Sequence, residues 1–276
     1  MASKQLLAIL ATSLGPAQAA LEFKWIQQHA ANPSQLNQMV TRRSRGSQPF
    51  GPLNLLTRPP VLIPRPETED WVIRLADHLK SSANHRPTMS LLDLGTGTGC
   101  IPLLLCHLLP QGSLNAQGVD ISTHALQLAT DNALLCGIPP SSPHRNTPQN
   151  TFTATLGSFL SPSFPDGAKI TPPYDIITSN PPYIPWDEYL QLPRSVTAYE
   201  DPKALFGGPS GLDFYHAIAR LIRRRDFLNP GAIVALEVGR GQAPAVERIM
   251  RVDAHMRDTE IWSDPWGIQR TVLAHL

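Results

Sequence analysis

Leu91-Leu92-Asp93-Leu94 runs straight into Gly95-Thr96-Gly97-Thr98-Gly99, and Cys100 then opens an apolar stretch to about Leu109. A short buried strand, a turn with glycine at alternate positions and a helix leave few choices of fold. Glycine permits the sharp backbone turn and the close approach of a ligand. The helix behind it presents backbone N–H groups that lack intrahelical partners, and Pro102 falls in its first turn, where proline is tolerated. The spacing is G-x-G-x-G and not the G-x-G-x-x-G of dinucleotide enzymes, so the turn alone is a weak signal of a cofactor loop.

The neighbouring elements strengthen that signal. Residues 114–119 form a second strand candidate ending at Asp120, about 20 residues past the last glycine, where a nucleotide-binding α/β unit places a carboxylate on a ribose hydroxyl pair. Ser122 or Thr123 caps a helix to about Cys136. Phe152 to Leu156 is a third strand, followed by Gly157-Ser158-Phe159. Phe159 either lies against an adenine ring or plugs the core. Strand, glycines, helix, strand and acid in this order point to a nucleoside site.

A fourth strand, Tyr174 to Ser179, ends in Asn180-Pro181-Pro182-Tyr183. Neither proline has an N–H to continue a ladder, and Pro181 pushes Asn180 out of the helical region. The result is a stiff, extended lip at the carboxyl end of a strand, the edge where open α/β sheets bind ligands. The Asn180 side-chain oxygen and the Pro181 carbonyl are then held as acceptors for one planar –NH2 group, with Tyr183 offering a flat face to it. Asn-Pro is also a common turn starter, so the bland alternative is a turn that merely ends the strand.

The rest of the chain supplies the frame. Residues 1–41 read as helical, with Leu21, Trp25 and Ile26 at helix-compatible spacing. Gln48-Pro49-Phe50-Gly51 reads as a turn and Val61-Leu62-Ile63 as a short β-like run. Pro64-Arg65-Pro66-Glu67-Thr68-Glu69 opens a helix through about Leu79, proline and acids suiting a helix N-terminus. Residues 137–150 read as an exposed insertion, and 161–173 as a second Pro/Ser loop leading to the fourth strand. The long connection 184–211, which contains Glu200-Asp201-Pro202-Lys203 and Phe206-Gly207-Gly208, reads as a cover over the site. Leu212 to Phe227 is an amphipathic helix, Ile233 to Val238 a fifth strand and Gln242 to Ala254 a further helix. Thr259 to Trp262 and Arg270 to Leu273 close the chain as an antiparallel hairpin. This alternation predicts an α/β fold with a seven-stranded, mostly parallel, doubly wound sheet and a small N-terminal helical lobe.

Composition excludes more than it selects. Net charge is +1, which makes no electrostatic case for gripping a nucleic-acid backbone. The clusters Arg42, Arg43, Arg45 and Arg223, Arg224, Arg225 read as solvated faces. Three cysteines without C-x-x-C spacing argue against a disulfide framework. The nine histidines are scattered, so no metal site is expected. No apolar run approaches the ~20 residues of a membrane span. The start carries Lys4 but no arginine before Arg42, a poor transit peptide and a poor secretory signal.

Taken together, glycine loop, acid and Asn-Pro-Pro-Tyr resemble a class I (Rossmann-like) S-adenosylmethionine-dependent methyltransferase. Leu62-Ile63-Pro64-Arg65-Pro66-Glu67-Thr68-Glu69, Ala204-Leu205-Phe206-Gly207-Gly208, Gly211-Leu212-Asp213-Phe214-Tyr215 and Leu236-Glu237-Val238-Gly239 narrow the resemblance. It is to the HemK-type protein-(glutamine-N5) methyltransferases, which modify the glutamine of the Gly-Gly-Gln motif in peptide-chain release factors. The likeness covers about residues 42–276, and Gln48 to Gly51 with the loop insertions is similar to a fungal mitochondrial member.

The resemblance implies S-adenosyl-L-methionine as cofactor, held by Gly95, Thr96, Gly97, Thr98 and Gly99, by Asp120 on the ribose, by Phe159 beside adenine and by Asn180. It implies that Asn180, Pro181, Pro182 and Tyr183 hold the substrate amide, with Asn180, Pro181 and Tyr183 catalytic. The expected organisation is a recognition lobe over residues 1–50, a linking hairpin and helix over 51–85 and the methyltransferase domain over 86–276. The expected partner is a release factor, met by a monomer that contacts neither nucleic acid nor membrane, in mitochondria or alternatively the cytoplasm. Ser158 departs from the acidic residue usual near adenine, and the segment around Arg45-Gly46-Ser47 lacks a Tyr-Ile-x-Gly run. Two other functions compete: a nucleic-acid adenine-N6 methyltransferase, which needs the same –NH2 geometry, and a degenerate binding module.

Overall fold

The computed structural model describes residues 3–14, 16–30, 32–44, 46–81, 88–142, 148–165, 168–191 and 201–276. Three helices come first: α1 (Ser3–Leu14), α2 (Pro16–His29) and α3 (Pro33–Ser44). They bury Leu6, Leu10, Ala19, Phe23, Ile26 and Val40 in a small core of their own. A two-stranded antiparallel ribbon comes next, β1 (Ser47–Phe50) with β2 (Leu53–Leu56). The stretch read as a turn is therefore largely a strand, and the reversal lies at Gly51-Pro52. Pro49 is tolerated because a two-stranded ribbon leaves each strand an open edge where a missing N–H costs nothing.

The main sheet has seven strands: β3 (Met89–Leu94), β4 (Leu114–Asp120), β5 (Thr151–Leu156), β6 (Tyr174–Ser179), β7 (Leu228–Glu237), β8 (Asp258–Ser263) and β9 (Gln269–His275). Their order is β5-β4-β3-β6-β7-β9-β8. The first five strands of that order run parallel, and β9 is antiparallel to both neighbours. The helices are α4 (Pro66–Ser81), α5 (Cys100–Leu108), α6 (Thr123–Leu135), the single turns α7 (Trp186–Tyr189) and α8 (Pro202–Leu205), α9 (Asp213–Ile222) and α10 (Ala243–Val252).

Strand side chains alternate between faces, and both faces are covered. Leu91, Ala116, Ile176, Ala235 and Leu273 pack with α4, α5 and α6. Leu92, Leu94, Val119, Ile177, Val234, Leu236 and Val272 pack with α9 and α10. Buried on both sides, these strands read as nearly continuous apolar runs, as parallel strands do.

Three expectations need correction. Val61-Leu62-Ile63 is irregular: Pro60 and Pro64 flank it and remove ladder donors, and Val61 instead packs on Ala125 and Leu128 of α6. The helix expected to run to Phe227 stops at Ile222, ahead of a turn in which Asp226 has φ +58°, a conformation that breaks a right-handed helix. Strand β7 begins at Leu228, earlier than its apolar pattern suggests, because Pro230 and Gly231 sit in an irregularity between the pairs Tyr174–Leu228 and Ile176–Ile233.

Candidate active site

Chain order runs outward from β3 through β4 to β5, then returns to place β6 on the other side of β3. That reversal opens a crevice above the carboxyl ends of β3 and β6, the usual ligand position in such sheets. Register makes the crevice a single row. Leu94 pairs with Val119 on β4 and with Ser179 on β6, and Ser179 pairs with Leu236 on β7. The next residue of each strand, Asp120, Gly95, Asn180 and Glu237, therefore stands at one level across four adjacent strands. The Ser179 hydroxyl locks this level by donating to the Leu94 carbonyl at 2.6 Å.

Above the row is a cavity of about 660 Å³, within the range of small-ligand sites. Gly95, Thr96, Gly97, Thr98, Asp120, Phe159, Asn180 and Pro182 all line it. The glycine turn has φ of +73°, +55° and +77° at Gly95, Gly97 and Gly99, values that only glycine adopts without strain. A Cβ added at Gly95 would meet nothing within 4 Å, so the backbone there is bare toward the open space. Asp120 holds the turn in place: one carboxylate oxygen accepts from the Gly97 N–H and the other from the Ser122 N–H, both at 2.9 Å.

Three expected residues lie off the wall. A Cβ at Gly99 would press on Ala129 and Leu103 at 3.2 Å, so this glycine serves the packing of α5 on α6. Pro181 is buried and Tyr183 packs into the core beneath α9 and α10. Asn180 and Pro182 line the cavity while Pro181 and Tyr183 do not, the alternation of successive side chains in an extended chain. Reading the four residues as one surface overlooks that alternation.

The cover is partly as expected, although residues 192–200 lie outside the described ones. Ile184 bridges Phe206, and the Gly207 N–H donates to the Ile184 carbonyl at 2.9 Å. A Cβ at Gly207 would stand 2.7 Å from the Pro182 carbonyl oxygen and the Tyr183 Cα, so the segment lies directly on the Asn-Pro-Pro-Tyr tip. Trp186, Tyr189 and Phe206 cluster at the cavity wall with ring centroids 5.4–6.4 Å apart. Asp201 closes the far side through its N–H to the Pro60 carbonyl at 3.3 Å. Phe159 meets Phe214 edge-on at 5.9 Å, giving apolar walls beside Ser158.

The wall suits S-adenosylmethionine, a ligand with a sulfonium, an amino acid end, a ribose and a flat base. Among the described lining residues Asp120, Asp201 and Asp213 outnumber the cations Arg65 and Lys203, which favours a cationic ligand. Burial raises the Asp120 carboxyl against the pull of its backbone donors. Burial also pushes the Cys100 thiol on the wall up to about 12, so it stays neutral and is no nucleophile near pH 7.

No protein-family model matches the chain. A release factor glutamine methyltransferase of Moorella thermoacetica is 34% identical over 271 residues, 98% of this chain and 85% of that protein. One of Lactococcus lactis subsp. lactis is 32% identical over 91% of this chain and 92% of its own length. The chain belongs to the release factor glutamine methyltransferase family. Among solved structures, a methyltransferase from Pyrococcus furiosus superposes with TM-score 0.54 over 88% of this chain and 98% of its own, at 15% identity, a likeness of fold.

Two acids of this family member carry no local signal of a role. Asp93 is fully buried in β3; one oxygen accepts from the Thr178 hydroxyl at 2.7 Å, and the other has no hydrogen bond among the described residues. Burial pushes its carboxyl up to about 7. Glu237, at the end of β7, accepts from the Thr68 hydroxyl at 2.6 Å and from the Trp71 indole at 2.9 Å through the same oxygen. Burial raises it too, with those two donors opposing. A buried acid in an apolar strand looks like any strand position until its neighbours are known. The Leu-Glu-Val-Gly motif marks Glu237 only through the family resemblance.

Proposed function

We propose that this chain transfers the methyl group of S-adenosyl-L-methionine to the side-chain nitrogen of the glutamine in the Gly-Gly-Gln loop of a peptide-chain release factor. The observation that carries the reading is the Asn180 carboxamide standing one strand away from the glycine turn, on the wall of the same cavity. Family membership names the substrate class.

Gly95, Thr96, Gly97, Thr98, Asp120 and Phe159 would hold the cofactor, which when bound supplies an electrophilic methyl group. An amide nitrogen is a poor nucleophile because its lone pair is delocalised into the carbonyl. Asn180 Oδ1 accepts one N–H of the amide, and the resemblance assigns the other to the backbone carbonyl of Pro181, whose side chain faces away from the cavity; both favour positive charge on nitrogen and turn the lone pair toward the methyl. Catalysis is then mainly positioning and preorganised dipoles. No side-chain base is required, since the methylated nitrogen is acidic and releases its proton to water. Trp186, Tyr189 and Phe206 keep the walls apolar.

Tritiated-methyl transfer, with release factor and nucleic acid offered side by side, tests the reading. Label is expected on the release factor, at the glutamine by mass spectrometry; label on nucleic acid alone overturns it in favour of adenine methylation. Asn180→Ala is expected to lower turnover by about 100-fold or more while calorimetry still detects cofactor binding. Unimpaired methylation by that variant would falsify the role of Asn180.

We further read the chain as a monomeric mitochondrial member of fungal type, which rests on the resemblance of Gln48 to Gly51 and of the loop insertions. Gel filtration of the purified chain and microscopy of the tagged chain in fungal cells check those two points.

A further inference from the structure

A carboxamide has nearly the same shape at both ends. Turned one way, Asn180 presents an oxygen that accepts an N–H from a substrate amide. Turned by half a rotation about its last bond, it presents an –NH2 that repels the same group. The chemistry proposed above therefore needs a device that selects one end.

Such a device lies beside the strand tip. Asn180 Nδ2 donates to Thr68 Oγ1 at 3.3 Å, and Thr68 Oγ1 donates to Glu237 Oε2 at 2.6 Å. Trp71 Nε1 donates to that same Glu237 oxygen at 2.9 Å. The order of donation is forced from one end. An indole N–H can only donate and an ionised carboxylate oxygen can only accept, so with Glu237 ionised Oε2 is committed as an acceptor. The Thr68 hydroxyl has one hydrogen, and the 2.6 Å separation is that of an O–H bonded to a carboxylate. With its hydrogen so used, Thr68 has only lone pairs to offer Asn180. It selects the –NH2 end of the carboxamide and leaves Oδ1, which no described donor reaches, for the cavity. Thr68 and Glu237 are each 2% exposed and Trp71 1%, so water does not compete for the two bonds to Glu237.

We propose that Thr68 and Glu237 are positioning residues that fix the polarity of the Asn180 carboxamide. The three groups sit at the start of α4, the end of β6 and the end of β7, so the sheet's carboxyl edge and one helix N-terminus together orient the group that meets the substrate. This rests on the reading that Asn180 Oδ1 receives an N–H of the substrate amide.

Thr68→Val removes the hydroxyl at constant shape, Thr68→Ser keeps it, and Thr68→Ala replaces the valine variant should that fail to fold. Side-chain amide exchange in 15N-labelled protein, with the Asn180 signals assigned from Asn180→Ser, reads the orientation directly. One Asn180 amide proton is expected to exchange slowly in the native chain and in Thr68→Ser, and to exchange at least about tenfold faster in Thr68→Val. Equal exchange in native chain and Thr68→Val, or rapid exchange of both protons in the native chain, overturns the proposal. In methyl transfer, Thr68→Val is expected to lower kcat by about 10- to 100-fold with the KM for S-adenosylmethionine unchanged, and Thr68→Ser to recover most of it. An unchanged kcat in Thr68→Val also overturns it. A native chain that labels no release factor refutes the proposed substrate instead, and amide exchange then still decides the orienting role.

Discussion

Asp93 does not behave as an ordinary aspartate. Its carboxyl is raised from 3.8 to about 7, burial being the main cause and the Thr178 hydrogen bond the main opposition. Below 3.8 both folded and unfolded chains hold the proton, and burial carries no charge penalty. Between 3.8 and about 7 only the unfolded chain has lost it, so Asp93 makes stability fall as pH rises through that window and level off above it. Asp93→Asn keeps an acceptor for Thr178 and removes the titration. Urea denaturation across this range is expected to show the variant gaining stability over the native chain as pH rises. Asp120 and Glu237 are also raised by burial, but both remain in the variant, so the difference reports Asp93 together with its charge coupling to Asp120. A stability difference independent of pH counts against the raised carboxyl.

At the scale of elements, the contact that shapes the site is the segment around α8 lying on the Asn-Pro-Pro-Tyr tip. Gln242, ahead of α10, fastens the tip from behind: its Nε2 donates to the Tyr183 carbonyl at 2.8 Å, and its Oε1 accepts from the Gly239 N–H at 3.0 Å. The tip is thus held between two pieces of chain, which accounts for a proline-stiffened strand end with no ladder partners of its own. Gly207→Ala places a methyl 2.7 Å from backbone on the tip, where neither side can yield cheaply. It is expected to destabilise the fold by about 1–3 kcal/mol and to raise the KM for the protein substrate while leaving cofactor affinity near native. Denaturant titration and steady-state kinetics read the two effects, and an undisturbed KM argues that the segment is not part of the substrate's path. The family resemblance marked Phe206-Gly207-Gly208 as a motif, but what those glycines touch was not legible. Gly207 meets the tip about 24 residues back along the chain, a partner chosen by the fold.

For the whole molecule, cofactor binding and folding are coupled through the row of strand ends. Asp120, Gly95 and Asn180 belong to three strands of one sheet, so a ligand that spans them binds only the assembled sheet. At a cofactor concentration about 100 times Kd, linkage adds about 2.7 kcal/mol. For a chain of this size that is expected to raise Tm by about 5–10 °C in a thermal melt. No rise at saturating S-adenosylmethionine points to the degenerate-module alternative. The three-helix lobe buries a separate core and contributes no residue to the cavity wall among those described, so the rise is expected to survive disruption of that core by Leu10→Asp.

Local patterning in the chain is enough to specify the sheet. Alternating apolar strands and amphipathic helices, a glycine turn after β3 and prolines after β6 are local signals, because strand burial, positive φ and a missing N–H act within a few residues of their cause. Placing the glycine turn, Asp120 and Asn180 at one ligand site was also within reach, since carboxyl strand ends gather on one edge of a parallel sheet. Which side chains of the tip face the cavity, the packing of Gly99 against a helix, and the reach of Thr68 to Glu237 across 169 positions of chain emerge only once the sheet is assembled. Those outcomes depend on register and on which way a side chain points, and register is set by the packing of the whole sheet.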